Sequence, residues 1–198
     1  MKGRIQFMNS MSRRYQDECK KDYRRDYERE EKEEKCPTII KCGCPSSTSI
    51  AAGTTAGNTF TLASLTLDTS CLCDPSIKLE FASNMIVPAG LTTGAINIQI
   101  FKQCRNQITA VPVGPVWTFI PAAPGSAETF SFFICDSDSC FSDCCTYTAV
   151  ARVTVAIGGA ALAINNSTIG AIATCKSNEC ERDCRKKHRK CHCDCDWN

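Results

Sequence analysis

The chain has 198 residues and a net charge of +2, and this length suits one domain of ordinary size with appendages. Its 17 cysteines are an odd number, so complete pairing within one chain would leave one thiol over. No segment approaches the roughly 18 apolar residues of a membrane span, and residues 1–11 lack the apolar core of a secretion signal. These features exclude a membrane-spanning helix and predict synthesis in the cytoplasm.

Charge divides the chain into three regions. Residues 1–35 carry 20 charged side chains and residues 176–198 carry 12, whereas the 140 residues between them also carry only 12. A typical soluble domain is roughly 25% charged, so this body is poor in the interspersed charge that keeps protein surfaces apart. We therefore predict a leader (1–35), a cysteine-rich folded domain (36–175) that begins with a connector (36–50), and a tail (176–198).

The leader reads RRYQDECKKDYRRDYEREEKEEK from Arg13 to Lys35, without glycine or proline. Its helix-forming residues and its i,i+4 pairs of opposite charge predict a charged N-terminal helix. Four residues spaced by four make one narrow stripe along it: Tyr15, Cys19, Tyr23 and Tyr27. Either the helix is solvated on all sides, or the stripe docks on a neighbouring chain and Cys19 locks it there.

The body alternates apolar and polar residues with a period of two, which predicts half-buried strands. The inward-facing sets are Phe60 and Leu62 with Leu65 and Leu67; Ile77, Leu79 and Phe81; Ile96, Ile98 and Ile100; Phe130, Phe132 and Ile134; and Tyr147, Ala149, Ala151, Val153 and Val155. A break in the alternation at Ala63 and Ser64 suggests a β-bulge. In the segment VWTF, Trp117 is predicted to lie in the core.

Turn residues separate these segments, and no helical period occurs between residues 38 and 174. About eight such strands predict an all-β fold, an antiparallel two-sheet sandwich or jelly roll. A body of 140 residues can bury a true core, so its folding does not require disulfides. The cysteines therefore need another role.

Catalytic chemistry finds little support in the body. Residues 36–175 contain no histidine, so a serine or cysteine nucleophile would lack its imidazole base. Among the carboxylates only Glu80 and Glu128 fall within predicted strands, and the others sit beside cysteines in loops. We predict that the protein is not an enzyme and binds no cofactor.

The loop CDSDSCFSDCC, residues 135–145, suggests calcium only through Asp136 and Asp138. An EF-hand loop needs glycine at its sixth position and glutamate at its twelfth, which here are Phe141 and Tyr147. We interpret the loop as a polar turn in which four cysteines make disulfides, namely Cys135, Cys140, Cys144 and Cys145.

The tail holds both histidines of the chain. Cys180, Cys184 and His188 recur every four residues with Cys191 three further on, so a partly helical tail would carry them on one side. Because they span roughly 16 Å of helix, they cannot all ligate one zinc ion. We predict interchain disulfides here. The alternative is a metal-binding or redox protein that holds zinc with Cys184, His188, Cys191, Cys193 and Cys195.

The tail also contains a basic run, RKKHRK, at residues 185–190. Acidic residues flank this short run and no aromatic residue lies within it, so we interpret it as a solvated helix face. We therefore predict no nucleic-acid partner.

Four stretches carry a family resemblance: CPTIIKCGCPSSTSI, TFTLASLTLDTSCLCDPSIKLEFASN, FSFFICDSDSCFSDCCTYTAV and STIGAIATC. They resemble a cysteine-rich domain family of anaerobic endospore-forming bacteria, over residues 36–175. The architecture is also similar to the subunits of endospore appendage fibres, which are jelly-roll sandwiches with a cysteine-bearing N-terminal connector. The leader and the tail depart from this pattern, as in a terminal, anchoring or coat-linking variant.

The resemblance implies that connector cysteines bond to neighbouring subunits. Cys36, Cys42 and Cys44 would occupy the connector position. Their acceptors would lie among Cys104, Cys135, Cys140, Cys144, Cys145 and Cys175. The resemblance also implies that the chain folds reduced in a mother cell and oxidises on the spore surface after lysis.

We therefore predict a structural, self-assembling subunit of a disulfide-cross-linked spore-surface layer or appendage filament. Its partners would be copies of itself and other spore-surface proteins, reached through the leader helix and the tail. The candidate cross-linking residues are Cys19, Cys36, Cys42, Cys44, Cys104, Cys135, Cys140, Cys144, Cys145, Cys175, Cys180, Cys184, Cys191, Cys193 and Cys195. A third interpretation is an adhesive or ligand-binding sandwich displayed by its helix.

Overall fold

The computed structural model of this chain describes residues 37–70, 72, 74–105, 107–137 and 144–176. The predicted leader helix and the predicted tail, apart from Lys176, lie outside these residues. The described ranges contain strands and turns but no α-helix, and hence no helix long and apolar enough to cross a membrane. The all-β prediction for the body is confirmed.

Nine strands occur in the described ranges, where the sequence predicted about eight. They are β1 (Ile39–Cys42), β2 (Ser46–Ile50), β3 (Thr59–Asp68), β4 (Pro75–Val87), β5 (Thr93–Cys104), β6 (Val111–Phe119), β7 (Ser126–Asp136), β8 (Cys144–Gly158) and β9 (Leu162–Cys175). Two of them, β1 and β2, come from the predicted connector, where both pair antiparallel with β9.

The strands form two antiparallel sheets. Sheet A has the order β1-β9-β4-β7, with β2 also paired to β9, and sheet B has the order β3-β8-β5-β6. With β1 set aside, the two orders β2-β9-β4-β7 and β3-β8-β5-β6 are those of an eight-stranded jelly roll. The predicted antiparallel sandwich is therefore confirmed in topology as well as in class.

The core lies between the sheets and follows the predicted alternation closely. Ile96, Ile98 and Ile100 of β5 are fully buried, and the inward residues of β4 match them from sheet A. The predicted bulge is also found, because the pairing of β3 with β8 shifts register between Thr61 and Ala63. Alternation succeeds here because each strand has one face against the opposite sheet.

Two inward predictions are wrong, and both concern places where the sheet is irregular or ends. Val155 is 50% exposed, because the pairing of β5 with β8 shifts register around Ala95, and Ile157 is buried instead. Trp117 is 39% exposed rather than a core residue. It stacks on Phe132 at 5.3 Å between ring centroids, but β6 is an edge strand, so the other face of the ring has no strand beyond it.

The directions of the strands bring many strand ends together at one end of the sandwich. β3, β5, β7 and β9 finish at the same end of the sandwich where β4, β6 and β8 begin. The described part of the chain also begins and ends there, since Ile39 of β1 pairs with Ala173 of β9. We call this the cysteine end, because five of the described cysteines lie at it: Cys104, Cys135, Cys144, Cys145 and Cys175.

Candidate functional site

A disulfide joins two strands of sheet B at the cysteine end. Cys104 ends β5 and Cys145 lies near the start of β8, and the strand register sets these residues directly opposite each other with Cα atoms 4.0 Å apart. Both are buried. This bond corrects the prediction for Cys104 and Cys145 as cross-linking residues between subunits, because they bond to each other within the chain.

The other described cysteines of the body are either held in disulfides or free thiols. Cys144 and Cys175 are also held in disulfides. Cys135, predicted to form a disulfide in its loop, is a free, exposed thiol on β7. Cys42 and Cys44 are free and exposed as well. The remaining candidates lie outside the described residues: Cys19, Cys36, Cys140, Cys180, Cys184, Cys191, Cys193 and Cys195.

A buried ionic cluster lies beside the disulfide and connects the two sheets. Lys102 Nζ of β5 lies 2.8 Å from Asp136 Oδ2 of β7, and the side chains are only 6% and 4% exposed. The Tyr147 hydroxyl of β8 donates a hydrogen bond of 2.7 Å to the same oxygen. Sequence reasoning placed Asp136 in a loop as a weak calcium ligand, whereas it is the last residue of a strand and its carboxylate faces inward.

The alternation of inward and outward residues in β5 already indicated part of this cluster. Lys102 lies two residues after Ile100 and so continues the inward face of β5. A lysine in an inward position needs a buried partner, because an unpaired charge in a core is very costly. The partner could not be named from sequence, since Asp136 comes from the other sheet.

The environment of Tyr147 perturbs its titration. Burial is the main cause that raises the pKa of this phenol, and the hydrogen bond to Asp136 and the charge of Asp136 raise it further. The hydroxyl therefore keeps its proton far above the ordinary tyrosine pKa of about 10. It can donate to the carboxylate at any physiological pH.

A pH dependence of stability follows from this shift. An unfolded chain loses the Tyr147 proton above pH of about 10 while the folded chain retains it, so the free energy of unfolding should fall as pH rises beyond that value. The slope from one proton is at most about 1.4 kcal/mol per pH unit. Denaturant titrations of the wild type and Tyr147→Phe between pH 8 and 11 test this. We expect a shallower fall in the variant, and parallel curves would contradict it.

Two of the free thiols, Cys42 and Cys135, lie on the outer, solvent-facing side of sheet A. In the strand register, Ile40, Ile172, Lys78 and Cys135 form one row across the sheet. Cys42, Gly170, Glu80 and Phe133 form the next row. Two thiols therefore stand on the same face, one on the strand β1 and the other on the edge strand β7. We call these two rows the thiol face.

Apolar side chains are exposed on the thiol face. Ile40 is 72% exposed, Phe133 is 62% exposed and Ile172 is 42% exposed. Its charged residues are mostly satisfied locally, since Lys78 pairs with Glu80 and lies 5.1 Å from the centre of the Phe133 ring. Clusters of exposed apolar residues of this kind are typical of surfaces that contact another protein.

No group of three or more metal-ligating side chains occurs within the ranges that the structure describes. The predicted alternative zinc ligands, Cys184, His188, Cys191, Cys193 and Cys195, lie outside those ranges. The metal-binding interpretation of the tail therefore stays a prediction.

A family model described as "Domain of unknown function (DUF4489)" matches residues 36–174. No curated protein matches the chain.

Several solved structures are similar to the chain at low identity. A structure of infectious bursal disease virus Gx strain matches with 17% identity and a TM-score of 0.47, over 74% of this chain and 33% of that one. The Eiger TNF structure from S. frugiperda matches with 8% identity and a TM-score of 0.40, over 69% of this chain and 92% of that one. A cellulose-specific carbohydrate-binding module, CBM28, has 14% identity and a TM-score of 0.38, over 62% of this chain and 73% of that one. The chain spans only about a third of the length of the first viral chains that it matches.

Proposed function

The chain belongs to the family described as Domain of unknown function (DUF4489), and from the thiol face we propose that it is a structural subunit that assembles with copies of itself through disulfides. The observation that carries the proposal is the pair of exposed, free thiols, Cys42 and Cys135, on one apolar face of a charge-poor sandwich. The jelly-roll fold is compatible with a structural role.

The geometry of the two thiols favours bonds between chains over a bond within one chain. Cys42 lies on β1 and Cys135 on β7, and β9 and β4 separate these strands. At about 4.8 Å per strand the two strands lie about 14 Å apart, whereas a disulfide needs Cα atoms within about 7 Å. Neither thiol can therefore reach the other in the same sandwich, and each is open to a second chain.

Edge strands would give the assembly its register. A free edge presents unpaired N–H and C=O groups that can pair with another chain. The edge strand β7 contains no proline, whereas the edge strand β6 contains Pro112 and Pro115, which lack the N–H donor. The strand β7 is thus the better template, and it carries Cys135.

The proposal places the protein on spores, as a layer or appendage subunit. The resemblance of residues 36–175 to proteins of endospore formers supports this location. The leader and tail would contact other spore-surface proteins, and the protein would be neither an enzyme nor a metal carrier. Antibody labelling of intact spores tests the location, and signal confined to the cytoplasm would contradict it.

Cross-linking has a direct test on gels. Native material is expected to run without reductant as a ladder or as material too large to enter the gel, and to collapse with strong reductant to one band of 21.7 kDa. Protein alkylated in the reduced, folded state before oxidation serves as the control and should stay monomeric. A single monomer band from untreated native material, without reductant, would remove the proposal.

A further inference from the structure

Lys102 and Asp136 are the only charged side chains that are buried in the described part of the chain. The body is poor in charge, so placing two opposite charges in its core is not a by-product of a charged surface. Removing two ions from water costs several kcal/mol each, and their attraction offsets this cost only with good geometry. An ionic pair in this position therefore calls for a reason beyond stability.

The contact holds an amine and a carboxyl group next to each other inside the core. The amine nitrogen lies 2.8 Å from a carboxylate oxygen, and both side chains are held from opposite sheets of a packed sandwich. Well-oriented groups within one molecule react as if at effective concentrations on the order of 10⁵–10⁸ M. The surrounding core also excludes water, which would otherwise favour the free amine and acid.

We propose that Lys102 and Asp136 condense to an amide bond that links β5 of sheet B to β7 of sheet A. The bond forms between Lys102 Nζ and Asp136 Cγ, and one Cγ–O bond breaks. From the ion pair, two of the three ammonium protons leave with that carboxylate oxygen as one water molecule. The reaction involves no change of oxidation state and needs no other reactant.

Tyr147 assists this step with a hydrogen bond and gives up no proton. Its hydroxyl donates to Asp136 Oδ2, the oxygen that also lies against Lys102. A hydrogen bond to this oxygen polarises the carboxyl group toward attack at Cγ and stabilises the charge that develops on oxygen. Tyr147 is fully buried, so water does not compete for this contact.

The link would give the sandwich a covalent tie that reductants do not break. Cys104–Cys145 joins two strands within sheet B, whereas the amide joins the two sheets to each other. A tie between sheets restricts the unfolded chain and prevents the sandwich from opening. This inference stands on the buried cluster alone and does not depend on the proposed function.

Mass spectrometry of the full chain tests the proposal. After reduction and alkylation, the intact protein is expected to be lighter than its sequence mass by one water molecule. Trypsin should fail to cleave after Lys102, and peptides 79–105 and 106–152 should stay joined although the disulfide between them is gone. Full sequence mass, with cleavage after Lys102 and with peptide 106–152 unlinked, would mean an ion pair only and would overturn the proposal.

Three comparisons test whether the loss of water arises from Lys102 and Asp136. Lys102→Arg and Asp136→Ala should each have the full mass of their sequence. Tyr147→Phe keeps both reacting groups and should carry the bond in a smaller fraction of chains. The exposed pair Lys78–Glu80 has the same kind of contact in solvent, so trypsin should still cleave after Lys78 and release Lys78 and Glu80 on separate peptides. Water loss that persists in Lys102→Arg would place it elsewhere and would also overturn the proposal.

Discussion

Asp136→Ala is expected to lower the free energy of unfolding by about 3–5 kcal/mol, because it leaves the Lys102 charge buried without its partner. The Lys102 side chain is only 6% exposed, so it cannot turn to water without disturbing the core. The substitution also removes the acceptor of the Tyr147 hydroxyl. Chains that carry the amide bond lose this link as well, which adds to the loss. Urea denaturation of the oxidised protein measures the effect.

Glu80→Ala is the matched control for Asp136→Ala. It removes a carboxylate from another lysine–carboxylate pair, but the side chains of Lys78 and Glu80 are 43% and 59% exposed. Exposed ion pairs contribute about 0–1 kcal/mol, since water solvates both partners and screens their attraction. Equal losses in the two variants would show that burial of the Lys102–Asp136 pair does not determine its contribution.

Replacing both Cys104 and Cys145 by alanine is expected to lower the free energy of unfolding by about 3–4 kcal/mol. The bond closes a loop with a sequence separation of 41, and loss of this closure gives the unfolded chain more conformational freedom. The variant should nevertheless fold, because the sandwich retains an extensive apolar core in both sheets. Denaturation under oxidising conditions measures the loss, and circular dichroism reports whether the fold persists.

Two comparisons complete this experiment. Cys44→Ser changes an exposed, free thiol and should leave stability unchanged. Under strong reductant, the free energy of unfolding of the wild type should fall close to that of the double alanine variant. A double variant as stable as the oxidised wild type, or one that fails to fold at all, would contradict the expectation.

Much of the fold could be predicted because alternation is a local property. Residues such as Ile98 of β5 and Leu79 of β4 are buried as expected, since a strand in a sandwich has one face inward whatever its neighbours are. The prediction for Trp117 was wrong because burial on an edge strand also depends on what lies beyond the edge. Periodicity carries no information about the position of a strand in its sheet.

The candidate site was predicted less well because it depends on residues that are distant in sequence. The odd number of cysteines indicated that at least one thiol has no partner within the chain, but not which one. Cys145 is bonded because the register of β5 and β8 sets it opposite Cys104, whereas the register of β4 and β7 sets the free Cys135 opposite Lys78. The buried partner of Lys102 likewise became visible only when the two sheets were placed together.

The sequence by itself determined most of the strands, the buried face of the regular ones, and the contrast between a charge-poor body and charged ends. These properties follow from residue type and spacing over a few positions. Only the tertiary structure decided which cysteines bond, which stand exposed on the thiol face, and which charges meet in the core. Strand order and register control these pairings. Both depend on the packing of the whole sandwich, in which residues far apart in the chain become neighbours.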